Sequence, residues 1–449
     1  MTDEQQVRSL LTLAVELRDD IQPPVASLLH RARRRRRARA ISSVLAVVIL
    51  AAAAFTLPPV IRGMSHGSPE PIGMGGPARR GPAAAQLTHF RWSALPPSPY
   101  DPGPEPLLTW TGRQLLVIPP SAGRGTRNAF TYDFATQAWR TIARPPNTIG
   151  LAGAVTVWTG RELFVTSGRV PSHKSQTSVA RAGLFDASTN HWTTTALPGP
   201  MRGASQLAAV WTGRDVIVGA VSLQHRTLRV AAYNPRTGRW GMITPALPAR
   251  HPPVGLAMVA TSDRLLLWSL WSLTTKVSAS GYAVASGVDV LSLDRGGHWS
   301  TITQGWPQHK AVDSPVYANG TILFPPEEIW CGLCSHPGGY FPAELADART
   351  LARTTVPSGP LVAHPLTQPP VWLWNGSSAL AANVHTSPFK PGRTPKEWIT
   401  EMAAFDPAAN RWTTLPVPPG RPPVAANPIW ADRQLLLLTA RGGLLSFHR

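Results

Sequence analysis

The sequence predicts an all-β fold, a ring of seven four-stranded units, preceded by one membrane-spanning helix and one short amphipathic helix. Three observations carry this expectation. A pair of apolar strands around a Thr-Gly turn recurs about every 50 residues, the mark of a repeat architecture. A strand bearing tryptophan follows most of these pairs. Near the amino terminus, an apolar stretch directly follows a run of arginines. The composition agrees: of 449 residues, 43% are hydrophobic and only 15% charged, which is ample for a core. With 47 prolines and 37 glycines, short strands and turns are favoured over long helices.

Residues 1–39 form the first segment. Val7, Leu10, Leu11, Ala14, Leu17 and Ile21 recur at helical spacing, and Pro23-Pro24 ends the helix they predict. Arg31, Arg33, Arg34, Arg35, Arg36, Arg37 and Arg39 follow. Residues 40–61 are apolar, and Ala40 to Leu57 carry no charge. About 20 such residues span a bilayer core, and flanking arginines mark the cytoplasmic side. The expectation is a single-pass protein of the cell membrane, amino terminus cytoplasmic and bulk extracytoplasmic. A cleaved signal peptide, with Ala52-Ala53-Ala54 at the cleavage site, is the alternative; 39 residues before the apolar run are long for one. The adjoining apolar segment also argues against nucleic acid as the partner of the arginine run. Residues 1–39 resemble short cytoplasmic tails of bacterial membrane proteins associated with extracytoplasmic-function sigma factors. That resemblance implies a sigma-factor-like cytoplasmic partner, although the His and Cys zinc cluster of one anti-sigma class is absent. Residues 62–86 are rich in Gly, Pro, Ala and Ser and read as a flexible tether.

Residues 87–449 hold the repeat. The two-strand element recurs around Trp110-Thr111-Gly112-Arg113, Trp158-Thr159-Gly160-Arg161 and Trp211-Thr212-Gly213-Arg214. Weaker copies centre on Ser262-Asp263, Asn319-Gly320, Asn375-Gly376 and Asp432-Arg433. Tight hairpin turns between β-rich runs explain each copy. Tryptophan strands contain Trp139, Trp192, Trp240, Trp299 and Trp412. In the fifth unit Ala352-Arg353 stands where tryptophan is expected. The seventh unit ends at Leu444-Leu445-Ser446-Phe447 without a tryptophan strand, while a spare one, around Trp92, precedes the first unit. Pairing the spare strand with the last unit closes the ring and removes exposed sheet edges.

The pattern of turn, apolar strand, and aromatic-Asp-x-x-Thr-x-x-Trp, as in Tyr132-Asp133 to Trp139, resembles the kelch repeat. The chain is thus similar to seven-bladed kelch-type β-propellers over residues 87–449. The family's double glycine after the second strand is mostly absent here. On this reading the tryptophans pack blade on blade. The acids Asp133, Asp186, Asp294, Asp347 and Asp406 cap turns and are not catalytic.

No residue set rises to a catalytic, metal or cofactor assignment. Ser292 to Trp299 matches one Asp-box, a structural turn in sialidase-like propellers. None of the six tyrosines lies in a motif like that of kelch-fold copper oxidases. Cys331-Gly332-Leu333-Cys334 resembles a thioredoxin motif, but His336-Pro337-Gly338-Gly339 disfavours the helix that such chemistry needs. Outside the cytoplasm a Cys331–Cys334 disulfide is expected instead. His336 and two cysteines make an incomplete zinc set.

Charge gives the functional expectation. Of a net +19, residues 1–62 account for +5, with ten Lys and Arg against five acids. That leaves about +14 for the remainder. Arg124, Arg127, Arg169, Lys174, Arg226, Lys390 and Arg393 fall in connections between second and third strands, which a propeller gathers on one face. A basic face attracts an anionic envelope polymer or an acidic protein ligand. The expected role is a binding or sensing module. A glycan-processing enzyme and a sigma-factor regulator are the alternatives, since a fold does not choose among them.

Overall fold

The computed structural model describes residues 81–449 apart from 104–105, 120–127, 150, 152–153, 168–180, 203, 246, 248–250, 262, 277–281, 303–314, 319, 325–326, 329–339, 342, 358, 362–370, 376 and 387–396. Seven antiparallel four-stranded sheets follow one another along the chain, the last completed by a strand from the amino-terminal side. Blade one is Leu107–Trp110, Gln114–Ile118, Ala129–Asp133 and Ala138–Ile142. Blade two is Ala154–Trp158, Glu162–Ser167, Arg181–Asp186 and His191–Ala196. Blade three is Gln206–Trp211, Val216–Ser222, Thr227–Asn234 and Arg239–Met242. Blade four is Pro253–Ala260, Arg264–Lys276, Tyr282–Asp294 and Trp299–Ile302. Blade five is Val316–Ala318, Thr321–Phe324, Glu344–Asp347 and Arg353–Thr355. Blade six is Val371–Trp374, Ala379–Thr386, Glu397–Asp406 and Arg411–Leu415. Blade seven joins Ile429–Ala431, Gln434–Leu438 and Leu444–His448 to Arg91–Leu95.

The first strand of each blade touches the first strand of the next, all the way round to blade one. The fold is therefore a closed seven-bladed β-propeller with first strands innermost. Closure follows the expected pairing: Trp92 lies opposite Phe447 and Ser93 opposite Ser446, and the Trp92 and Phe447 rings sit 5.2 Å apart. Among the described residues no helix is long and apolar enough to cross a membrane; residues 1–39 and 40–61 lie outside them.

Both faces of each blade are covered by neighbours, so second strands read as continuous apolar runs. Leu115 and Val117 pack toward blade seven, against Leu436 and Leu438. Leu116 and Ile118 point the other way, onto Leu163 and Val165 of blade two. The strand period of two thus feeds two separate cores.

Turn chemistry repeats with the blades. Gly112, Gly160 and Gly213 each adopt φ near +88°, a conformation that costs other residues a clash. Gly112 and Arg113 are the central turn residues, with Thr111 flanking them. The Thr111 N–H donates to the Gln114 carbonyl, and its Oγ1 accepts the Gln114 N–H, both at 3.0 Å. Thr159, Thr212 and Thr261 repeat the arrangement. At the third-to-fourth turns, Asp133, Asp186, Asp347 and Asp406 each accept backbone N–H groups from two and three residues on. Asp294 of the Asp-box accepts the His298 N–H at 2.9 Å. These aspartates build turns, as the repeat implied.

The tryptophans do more than fill space. Trp139 Nε1 donates to the Pro96 carbonyl and Trp192 Nε1 to the Ala143 carbonyl, each at 2.8 Å on the preceding blade. Trp240 reaches Thr195 Oγ1, Trp299 the Ile243 carbonyl, Trp412 the Pro357 carbonyl and Trp92 the Pro416 carbonyl. An apolar ring with one donor at its edge suits this job, since the ring packs within its blade while the N–H bonds across to the preceding one. Blade five, lacking the tryptophan, has no such tie to blade four; its Arg353 instead pairs with Glu344 of its own blade at 3.0 Å.

Gly81 and Pro82 already contact blade six. The Gly81 N–H donates to the Asn375 carbonyl at 2.8 Å, and Asn375 Nδ2 donates to the Pro82 carbonyl at 3.0 Å. Gly81 lies so close that a Cβ would meet the Asn375 carbonyl oxygen. A single helical turn, Ala84–Leu87, then buries Ala84 and Leu87 against blade six. Its four residues are too few for periodicity to stand out in a Pro- and Gly-rich stretch.

Candidate functional site

The antiparallel order puts every second-to-third connection at one end of its blade and the two hairpin turns at the other. Of the seven basic residues singled out, Arg226 is described. It sits exposed in the Leu223–Arg226 turn of blade three with φ +50°. Arg124, Arg127, Arg169, Lys174, Lys390 and Arg393 lie outside the described residues, as do Cys331 and Cys334. The cysteines fall in the connection of blade five, where Glu327–Glu328 and Tyr340–Phe341 form a small two-stranded ladder.

Two clusters escaped the sequence reading. The first is on the loop end of blade four. His251 Nδ1 lies 3.0 Å from both oxygens of Asp289, and its ring stacks on Trp271 at 4.3 Å and 16°. Ser269 stands opposite Asp289 on the neighbouring strand, wholly buried, and its Oγ finds no partner among the described residues. A carboxylate and an indole thus hold the imidazole and fasten the segment entering blade four. No spacing in the sequence announces this, since the three groups come from a loop and two strands.

The second cluster is a cleft of about 450 Å³ at the turn end, between blades two and three. That volume falls in the range of small-ligand pockets, about 300–1,000 Å³. Thr159, Arg161 and Glu162 line it from blade two, and Trp211, Gly213, Pro235 and Arg236 from blade three. Arg161 pairs with Asp186 at 3.5 Å. The Ser188 hydroxyl, with the turn N–H groups and Arg161, holds the Asp186 carboxyl below its ordinary value. Glu162 faces Asp186 across the strand pair. Burial pushes the Glu162 carboxyl up, Arg161 opposes this and Asp186 adds to it. The Tyr233 phenol of blade three is raised by burial and by Glu162, so that carboxyl bears on blade three.

The same position in other blades shows what is unusual here. In blade one Gln114 Nε2 donates to Asp133 Oδ2 at 2.9 Å. In blade three the chemistry is swapped, and Asn234 Nδ2 donates to Asp215 Oδ1 at 2.8 Å. Each is one amide and one carboxylate, a matched donor and acceptor. Blade two places two carboxylates together instead. The Glu162 side chain accepts no hydrogen bond from the described residues. Glu162 was legible in the sequence only by aligning the repeats and noticing an acid where its neighbours supply one amide.

No protein-family model matches the chain, and no curated protein matches it. Among solved structures, the chain is similar to one from "Crystal Structure of Mitotic Checkpoint Complex", with 13% identity, TM-score 0.44, and coverage of 80% of this chain and 91% of that one. It is also similar to one from "Structure of YjhT", with 16% identity, TM-score 0.43, and coverage of 72% and 99%. The propeller assignment rests on the strand pairing itself.

Proposed function

We propose that the chain is a membrane-anchored extracytoplasmic propeller of the kelch type that serves as a binding or sensing module, with its second-to-third connections holding an anionic envelope polymer. One observation carries this reading. Seven basic residues fall, in the sequence, between second and third strands, and the antiparallel blade order supports a shared end for those connections. At the opposite end the turn arginines are largely offset: Arg113 pairs with Asp133 at 3.4 Å, Arg161 with Asp186, and Arg214 lies 3.8 Å from Asp215.

Surface plasmon resonance of the full chain over immobilised polyuronate and polyphosphate tests the reading. Binding is expected at low ionic strength and should fall sharply by about 0.15 M salt, where the Debye length is about 8 Å. Replacing Arg124, Arg127, Lys174 and Lys390 with Ser should weaken it about tenfold with an unchanged melt. Equal binding by the quadruple variant overturns the basic-face reading. The anchor has its own test: protease added to intact spheroplasts should digest the propeller and spare residues 1–39.

A further inference from the structure

We propose that the cleft between blades two and three is a binding site for a zwitterionic small molecule, whose ammonium group meets Glu162, whose carboxylate meets Arg236 and whose apolar part lies on Trp211. Two charges at the cleft are left over. Asp186 has Arg161 and the Ser188 hydroxyl. Glu162 retains a carboxylate with no hydrogen-bond donor among the described residues. Arg236, exposed in the third-to-fourth turn of blade three, forms no ion pair among them; only its backbone N–H is used, by Asn234. The two unpaired charges are of opposite sign and line one cleft from opposite blades. Trp211 is half-buried between them. A ligand that satisfies all three carries a cation, an anion and an apolar body, as an α-amino acid does.

The misfit inside blade two supports a role in binding over a role in folding. A glutamine at 162 would reproduce the Gln114–Asp133 pair of blade one. Burial and the facing Asp186 disfavour the Glu162 carboxylate there, and two facing carboxylates, where blades one and three each pair an amide with a carboxylate, mark a functional position at the blade that borders the cleft. The cleft is lined by hairpin-turn residues and by none of the second-to-third connections, so its fate does not depend on the polymer reading.

The test is a saturation-transfer NMR screen of the full chain against the common proteinogenic amino acids, followed by calorimetry on the best binder. At least one amino acid should bind, and its amine-only and acid-only analogues should each bind about tenfold more weakly, the loss of one charge-assisted contact. Glu162→Gln should weaken the amino acid about tenfold and leave the acid-only analogue unchanged. Arg236→Ser should likewise weaken the amino acid about tenfold and leave the amine-only analogue unchanged. Glu162→Gln should also raise the melting temperature. Absence of binding across the panel overturns the proposal, as does binding indifferent to both substitutions. A lower melting temperature for Glu162→Gln overturns the misfit argument on which the site rests.

Discussion

Glu162 and the turn aspartates respond to pH in opposite senses. Asp133, Asp186, Asp294 and Asp347 are held below the ordinary carboxylate value, by Gln114, the Ser188 hydroxyl, the His298 N–H and the Thr350 N–H respectively as the leading causes. Their stabilisation is complete above the unfolded pKa of about 3.9 and is lost as pH falls through the depressed folded values. Burial raises Glu162 and, more deeply set, Asp215. A raised acid costs nothing below the unfolded pKa and costs progressively more as pH climbs through its folded value. The melting gain of Glu162→Gln should therefore be larger at pH 7 than at pH 4. Differential scanning calorimetry at the two pH values checks this, and a gain independent of pH would remove burial of the charge as its cause. Such residue-level facts were only partly legible. The capping aspartates followed from Asp-x-x-Thr spacing, because an Asx turn is local. The His251–Asp289–Trp271 contact joins parts of the chain 38 residues apart or less but in no fixed pattern, and no local rule predicts it.

At the scale of elements, the repeat announced seven blades because each needs two apolar faces and a stereotyped turn. What it left out was how the blades are tied. Trp412 stacks within its own blade, 5.3 Å from the Phe405 ring, and donates to Pro357 of blade five. Trp412→Phe keeps most of the ring and deletes the donor, which should cost about 1 kcal/mol and lower the melting temperature by a few degrees. A melt equal to that of the parent would show that the indole N–H contributes nothing. Blade five departs from its sisters in sequence and in structure. Its strands are three and four residues long, and its fourth strand carries no tryptophan to bond back to blade four. Apolar packing remains there, with Trp268 and Phe324 edge to face at 5.5 Å, and the Arg264 guanidinium donates to the Arg349 carbonyl. Native-state hydrogen exchange should find blade five opening first, with the least protected strand amides of the ring. Protection equal to that of blade two would refute this.

For the whole molecule, closure was the most legible feature. A unit short of one strand at the carboxyl end and a spare strand at the amino end admit few other solutions. Deleting residues 87–97 should expose the Leu444–His448 edge and make the chain aggregate, which size-exclusion chromatography would register. A monomeric deletion variant with the parent melt would overturn the closure account. The proposed basic face was legible only as a list of residues, because long connections have no periodic constraint linking sequence to placement.

The route by which the chain enters the ring bears on force. From Gly81 it is pinned to blade six through Asn375, with the Ser377 hydroxyl donating to the Gly81 carbonyl at 2.7 Å, and only then does it reach blade seven as Arg91–Leu95. Tension applied at the amino end must break these contacts before it can peel the closing strand. The arrangement works as a strain relief on a cable, taking the load at the sleeve and sparing the joint. In single-molecule pulling from the amino end, Gly81→Ala, which crowds the Asn375 carbonyl, should lower the force of first rupture while leaving the later unfolding of the blades unchanged.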